Sequence, residues 1–84
     1  MSYNDKSIVP GILIKVKKGL GSVSGYYTKP EDHFYILTEI KTKDGYEHKH
    51  DTLVFYALAE ERFFPVYRWY IEESIDDGTA DIVA

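Results

Sequence analysis

In Ile12-Leu13-Ile14-Lys15-Val16-Lys17 the even positions are all apolar, while Lys15 and Lys17 share the other side. Successive side chains of an extended chain point to opposite faces, so this spacing predicts a strand with one dry side and one wet side. Similar short extended runs recur along the chain, separated by Gly and Pro. That limits the chain to a small, mainly β fold.

Gly19 and Gly21 bracket a turn, and Ser22 to Thr28 reads as a second strand with a bend at Gly25. Lys29-Pro30-Glu31-Asp32 is a loop, because Pro30 fixes φ and removes a donor. His33 to Thr42 is a third strand, with Phe34, Ile36 and Ile40 expected on one face. Asp44-Gly45 then signals a tight type I′ hairpin. Pairing Lys43 with Tyr46 sets Lys41 opposite His48, Glu39 opposite His50, Ile36 opposite Leu53 and Phe34 opposite Phe55, with strand four at Tyr46 to Tyr56. Ala57 to Arg62 supports one helical turn, too short for a lasting helix. After Pro65, the run Val66 to Ile71 is dense in β-formers and reads as strand five, with Tyr67, Trp69 and Ile71 on one face.

This arrangement resembles SH3-like small barrels over about Ile12 to Ile71, a likeness of fold alone that brings no family motif. The expectation is a mainly β, five-stranded SH3-like barrel with one short helical turn before the last strand. The alternatives are an OB-like barrel or an open antiparallel meander with one helix. Residues 1–9 are expected to be a flexible lead-in, 10–72 the single domain, and 73–84 a mobile acidic tail. With 84 residues and no cysteine, the core must hold the fold without disulfides or a thiolate metal site.

The net charge of -4 is unevenly spread. Residues 1–50 carry eight lysines against six acids, and residues 51–84 carry two arginines against eight acids. A general nucleic-acid binder leans the other way. No apolar run approaches the roughly 20 residues needed to span a bilayer, so no membrane role and a cytoplasmic location are expected.

Three surfaces are candidates for binding. His48 and His50 lie two positions apart on one strand, and the expected register sets Glu39 opposite His50, a partial ligand set for zinc or nickel. The commoner reading is a wet hairpin face, since structural zinc takes four ligands. Lys15, Lys17 and Lys41 with Tyr26 and Tyr35 can form a phosphate-binding and base-stacking face, although lysines on strands also guard against edge pairing. Third, Phe55, Tyr56, Phe63, Phe64, Tyr67, Trp69 and Tyr70 crowd seven aromatics into sixteen residues, more than one small core absorbs. Arg68 with Tyr67 or Tyr70, next to Glu72 and Glu73, is therefore the leading partner-binding patch.

Chemistry is thinly provided for. The sequence holds no cysteine, no Gly-rich phosphate loop and no nucleophile elbow, so neither an enzyme nor a cofactor is expected. The functional expectation is a small interaction module, a regulator or inhibitor that docks a larger protein through its aromatic C-terminal strand and acidic rear. It resembles the compact domains of phages and mobile elements, and a homodimer is a further expectation. Nucleic-acid binding and a metal-dependent role are the alternatives.

Overall fold

The computed structural model describes residues 8–17, 19–21, 23, 33–42, 45 and 50–83. They form β1 (Leu13–Val16), β2 (His33–Lys41), β3 (Thr52–Ala57), β4 (Arg62–Tyr67), α1 (Arg68–Asp76) and β5 (Ala80–Ile82). The five strands make one sheet in the order β4-β3-β2-β1-β5, and every neighbouring pair is antiparallel. Among the described residues β4 and β5 are its two edges, with Val23 N–H donating to Pro65 C=O beside β4, and the sheet is not closed. The described residues do not form the SH3-like barrel expected from the strand count, and the fold is mainly β with one helix. The proposed second strand at 22–28 falls almost wholly outside the described residues.

β1 follows its sequence pattern: Ile12, Ile14 and Val16 are buried, and the lysine positions face outward. Gly11 and Ile12 both bond to Leu37, Gly11 N–H donating to its carbonyl and Ile12 C=O accepting from its amide. Gly11 has φ +103°, a conformation glycine reaches without the steric cost of a Cβ, which lets two residues sit opposite one. Ile8, assigned to the lead-in, is part of the core.

The β2–β3 register departs from the expected hairpin. Tyr35 pairs with Ala57, Leu37 with Phe55, Glu39 with Val54 and Lys41 with Thr52. Thr38 is an extra residue between Leu37 and Glu39, and its hydroxyl donates to Val54 C=O at 2.8 Å. This bulge swaps the inward parity within one strand: His33, Tyr35 and Leu37 point in before it, and Ile40 after it. Phe34 and Ile36 therefore lie on the opposite face from the one predicted, and Phe34 is exposed. Lys41 meets Thr52, so the expected pairing of Lys41 with His48 is not formed, and the turn between the two strands lies mostly outside the described residues. Gly45 keeps the positive φ, +81°, expected of a turn glycine.

The helical turn expected over Ala57 to Arg62 is instead a tight hairpin turn at Leu58 to Glu61 between β3 and β4, closed by Glu61 N–H donating to Ala57 C=O, with Glu61 at φ +53°. Beyond this turn the chain departs from expectation. Strand β4 begins at Arg62, and the segment read as strand five turns into a helix at Arg68. Local β-preference loses to tertiary contacts, because Arg68, Ile71 and Ser74 are buried at helical spacing. The acidic stretch read as a mobile tail ends α1 and then forms β5, which pairs with β1 through Ile14↔Ile82 and Val16↔Ala80. Gly78, at φ +83°, stops the helix; its N–H reaches Ile75 C=O, and the Thr79 hydroxyl reaches Ser74 C=O.

Helix α1 thus connects one sheet edge to the other and contacts both β4 and β5. Inward residues of all five strands meet Ile71 in one core, with Tyr35, Phe55 and Phe64 its largest members. Tyr35 stands edge-on to Phe55 at 6.2 Å. Ser74, fully buried, satisfies its hydroxyl on Tyr70 C=O.

Candidate functional site

The junction of β4 and α1 is held by a residue distant in sequence. Asp51, just before β3, accepts the Arg68 N–H on its backbone carbonyl at 2.9 Å. Its carboxylate lies 3.6 Å from Arg68 Nε, and both residues are buried, at 3% and 8% exposure. Glu72, one helical turn after Arg68, approaches the same guanidinium at 3.8 Å. Tyr67, at the N-cap, offers no side-chain bond to the helix, and Asp51 C=O satisfies the N–H of Arg68, one of the first-turn donors that have no partner within the helix.

The clamp fixes what stands on either side of it. Tyr67 and Trp69 stack at 6.2 Å with 15° between planes, at 41% and 40% exposure. Trp69 also leans on Tyr70, whose hydroxyl donates to Gly19 C=O at 3.4 Å. Glu73 is exposed one turn beyond Trp69, and Asp76 is exposed at the helix end. The result is a stacked two-ring platform bordered by carboxylates.

Of the partner-binding residues proposed from sequence, Tyr67 and Glu73 are on this surface. Tyr70 is half-buried, and Glu72 leans toward Arg68. Arg68 does not present itself to solvent: it faces inward as the centre of the clamp. Trp69, expected on one strand face with Tyr67 and Ile71, is exposed on the helix and belongs to the platform. Of the seven crowded aromatics, Phe55 and Phe64 are buried and Phe63, Tyr67 and Trp69 are exposed.

The other two candidate sites are not assembled by the described residues. Tyr35 has no exposed surface and belongs to the core, where no base can stack on it. Lys15 is half-buried on β1 opposite Asp81 of β5, Lys17 is exposed just after β1, and Lys41 is exposed at the end of β2. Tyr26 and His48 lie outside the described residues. His50 is exposed, but Glu39 pairs with Val54 rather than with it. Among the described residues no group of three His, Cys, Asp or Glu side chains is placed to hold a metal, and no helix is long and apolar enough to cross a membrane.

A second exposed feature was not singled out from sequence. The outward side of the sheet carries Phe34, Ile36, Val54, Tyr56, Phe63 and Pro65 on three adjacent strands. Tyr56 and Phe63 pack edge-on at 5.2 Å, yet Phe63 remains 61% exposed. Its signal was the run Leu53 to Ala59, apolar without interruption, where a strand with one wet face should alternate. The chain matches no protein-family model, no curated protein and no solved structure.

Proposed function

We propose that this chain is a small non-enzymatic interaction module, a regulator or inhibitor that docks a larger protein through the Tyr67–Trp69 platform and the acids beside it. The observation that carries this reading is the stacked, exposed ring pair on a buried ion-pair clamp. Tyr and Trp dominate interface energetics because they bury large area at little cost in side-chain freedom, and pre-ordering lowers that cost further. Glu73 and Asp76 add negative charge at the rim, which favours a basic surface on the partner and speeds encounter with it.

The test is affinity capture with the whole chain from an extract of the encoding organism, comparing the native sequence with Trp69→Glu. Trp69 is exposed, so the variant should keep its far-ultraviolet dichroism and melting temperature. A protein retained by the native chain and lost with Trp69→Glu supports the platform. Equal retention by both, or no specific partner, overturns the reading.

A further inference from the structure

We infer that the outward stripe of α1 recognises arginine: a guanidinium of the partner lies on the Tyr67–Trp69 ring pair and turns its N–H edge to the Glu73 carboxylate. The inference rests on the docking reading of the same surface and names the chemistry that surface takes. The helix sorts its residues by side. Arg68, Ile71 and Ser74 are buried, whereas Trp69, Glu73 and Asp76, spaced i, i+4 and i+7, fall on one exposed stripe about 10 Å long. Tyr67 extends the stripe at the N-cap by stacking on Trp69.

The rings supply the first half of the site. Tyr67 and Trp69 pack on each other, and Trp69 also leans on Tyr70 at 5.8 Å, yet both keep about two fifths of their surface in water. The faces of Trp and Tyr carry the negative side of the ring quadrupole and attract a cation placed over them. Carboxylates supply the second half. Among the described residues neither Glu73 nor Asp76 is paired with a cation, and the last turn of α1 holds no basic side chain. Arg68, the nearest cation in sequence, faces inward to Asp51 and Glu72. Both free acids stand in the C-terminal half of the helix, where the macrodipole is itself negative, so a cation from outside relieves an opposition built into the chain.

Spacing joins the two halves. Residues four apart on a helix are neighbours, with Cβ atoms about 5–6 Å apart, and long side chains lean toward the N-terminal turn, which carries Glu73 toward the indole of Trp69. A planar guanidinium suits both groups at once: it stacks flat on an aromatic face while its edge gives a carboxylate two parallel hydrogen bonds. An ammonium acts on the same groups only as a point charge. Residues 51–84, with two arginines against eight acids, draw cationic segments toward this end of the chain.

Trp69 is the single tryptophan, so its fluorescence reads the site directly. Titrating the whole chain at low salt with a capped Gly-Arg-Gly-Gly-Arg-Gly peptide should change Trp69 emission saturably, with a dissociation constant below about 1 mM. The lysine counterpart should bind at least about threefold more weakly. Glu73→Gln, an exposed change that keeps the melting temperature, should weaken the arginine peptide about tenfold. Glu60→Gln removes the same charge from the β3–β4 turn, at the other end of β4, and should change binding less than about twofold. No saturable change, lysine equal to arginine, or equal losses for the two variants overturns the inference. A partner lost with Trp69→Glu, alongside a peptide that fails to bind, overturns it and leaves the docking reading standing. A peptide that binds as stated, alongside a protein indifferent to Trp69→Glu, supports arginine recognition and overturns only the docking reading.

Discussion

Phe63 and Phe64 are consecutive, chemically identical and on the same strand, yet their replacement by alanine should have very different costs. Phe64 is 1% exposed, pairs in register with Phe55 and lies 6.3 Å from Tyr35 in the core. Removing its ring deletes buried area and leaves a void among rigid neighbours, a loss of about 3–5 kcal/mol. Phe63 is 61% exposed and its ring packs on Tyr56, so Phe63→Ala forfeits about 0.5–1.5 kcal/mol of pairing and little burial. A chain of this size has a total stability of about 4–13 kcal/mol, so Phe64→Ala removes a large share of it and Phe63→Ala does not. In melting temperature the two differ by roughly 10 °C or more, at about 4–8 °C per kcal/mol. Urea unfolding followed by circular dichroism and by Trp69 fluorescence measures both. Equal losses, or a larger loss at Phe63, would refute the inward and outward assignment of β4 and with it the register of β3.

The ion-pair clamp gives a second expectation. Asp51→Ala should cost about 3 kcal/mol in urea unfolding, at the lower end for a broken buried pair because Glu72 still approaches Arg68 at 3.8 Å. Adding Arg68→Met to that variant should recover part of the loss, since no buried charge is then left behind. At the end of α1, Gly78→Ala places a Cβ on a backbone with φ +83° and should cost about 1–2 kcal/mol by the same assay.

The parts of this fold legible in the sequence are those governed by neighbours along the chain. β1 declares itself by Ile12, Ile14 and Val16, and the start of β2 by His33. The register of β2 and β3 was not legible: on the hairpin side Lys41 meets Thr52, four residues beyond the His48 that an Asp44-Gly45 turn implies, and one inserted residue, Thr38, then reverses parity, which no local pattern distinguishes from a threonine in a regular strand. Helix α1 was hidden by Tyr67, Trp69, Tyr70 and Ile71, all good strand residues. Its readable signals were Arg68, Ile71 and Ile75 at helical spacing and Gly78 at the stop. Of the residues read from sequence as partner-binding, Tyr67 and Glu73 are exposed beside Trp69. Arg68 was misplaced because its partner, Asp51, is remote in sequence, and aromatic content alone cannot say which rings a remote ion pair turns outward.

The order of strands also sets a sequence of events during synthesis. β1 emerges early, but the neighbour on its far side is β5, which becomes available only after β2, β3, β4 and α1 have been made. Until then β1 has one ladder side open to any extended chain nearby, whether another part of the nascent protein or a neighbouring polypeptide. Lys15 and Lys17 stand on that strand and just past it. Charged side chains there discourage improper pairing. The lysines that suggested a surface for phosphates from sequence fit a different role here: they keep an unfinished edge unattractive until Ala80–Ile82 arrives to close it.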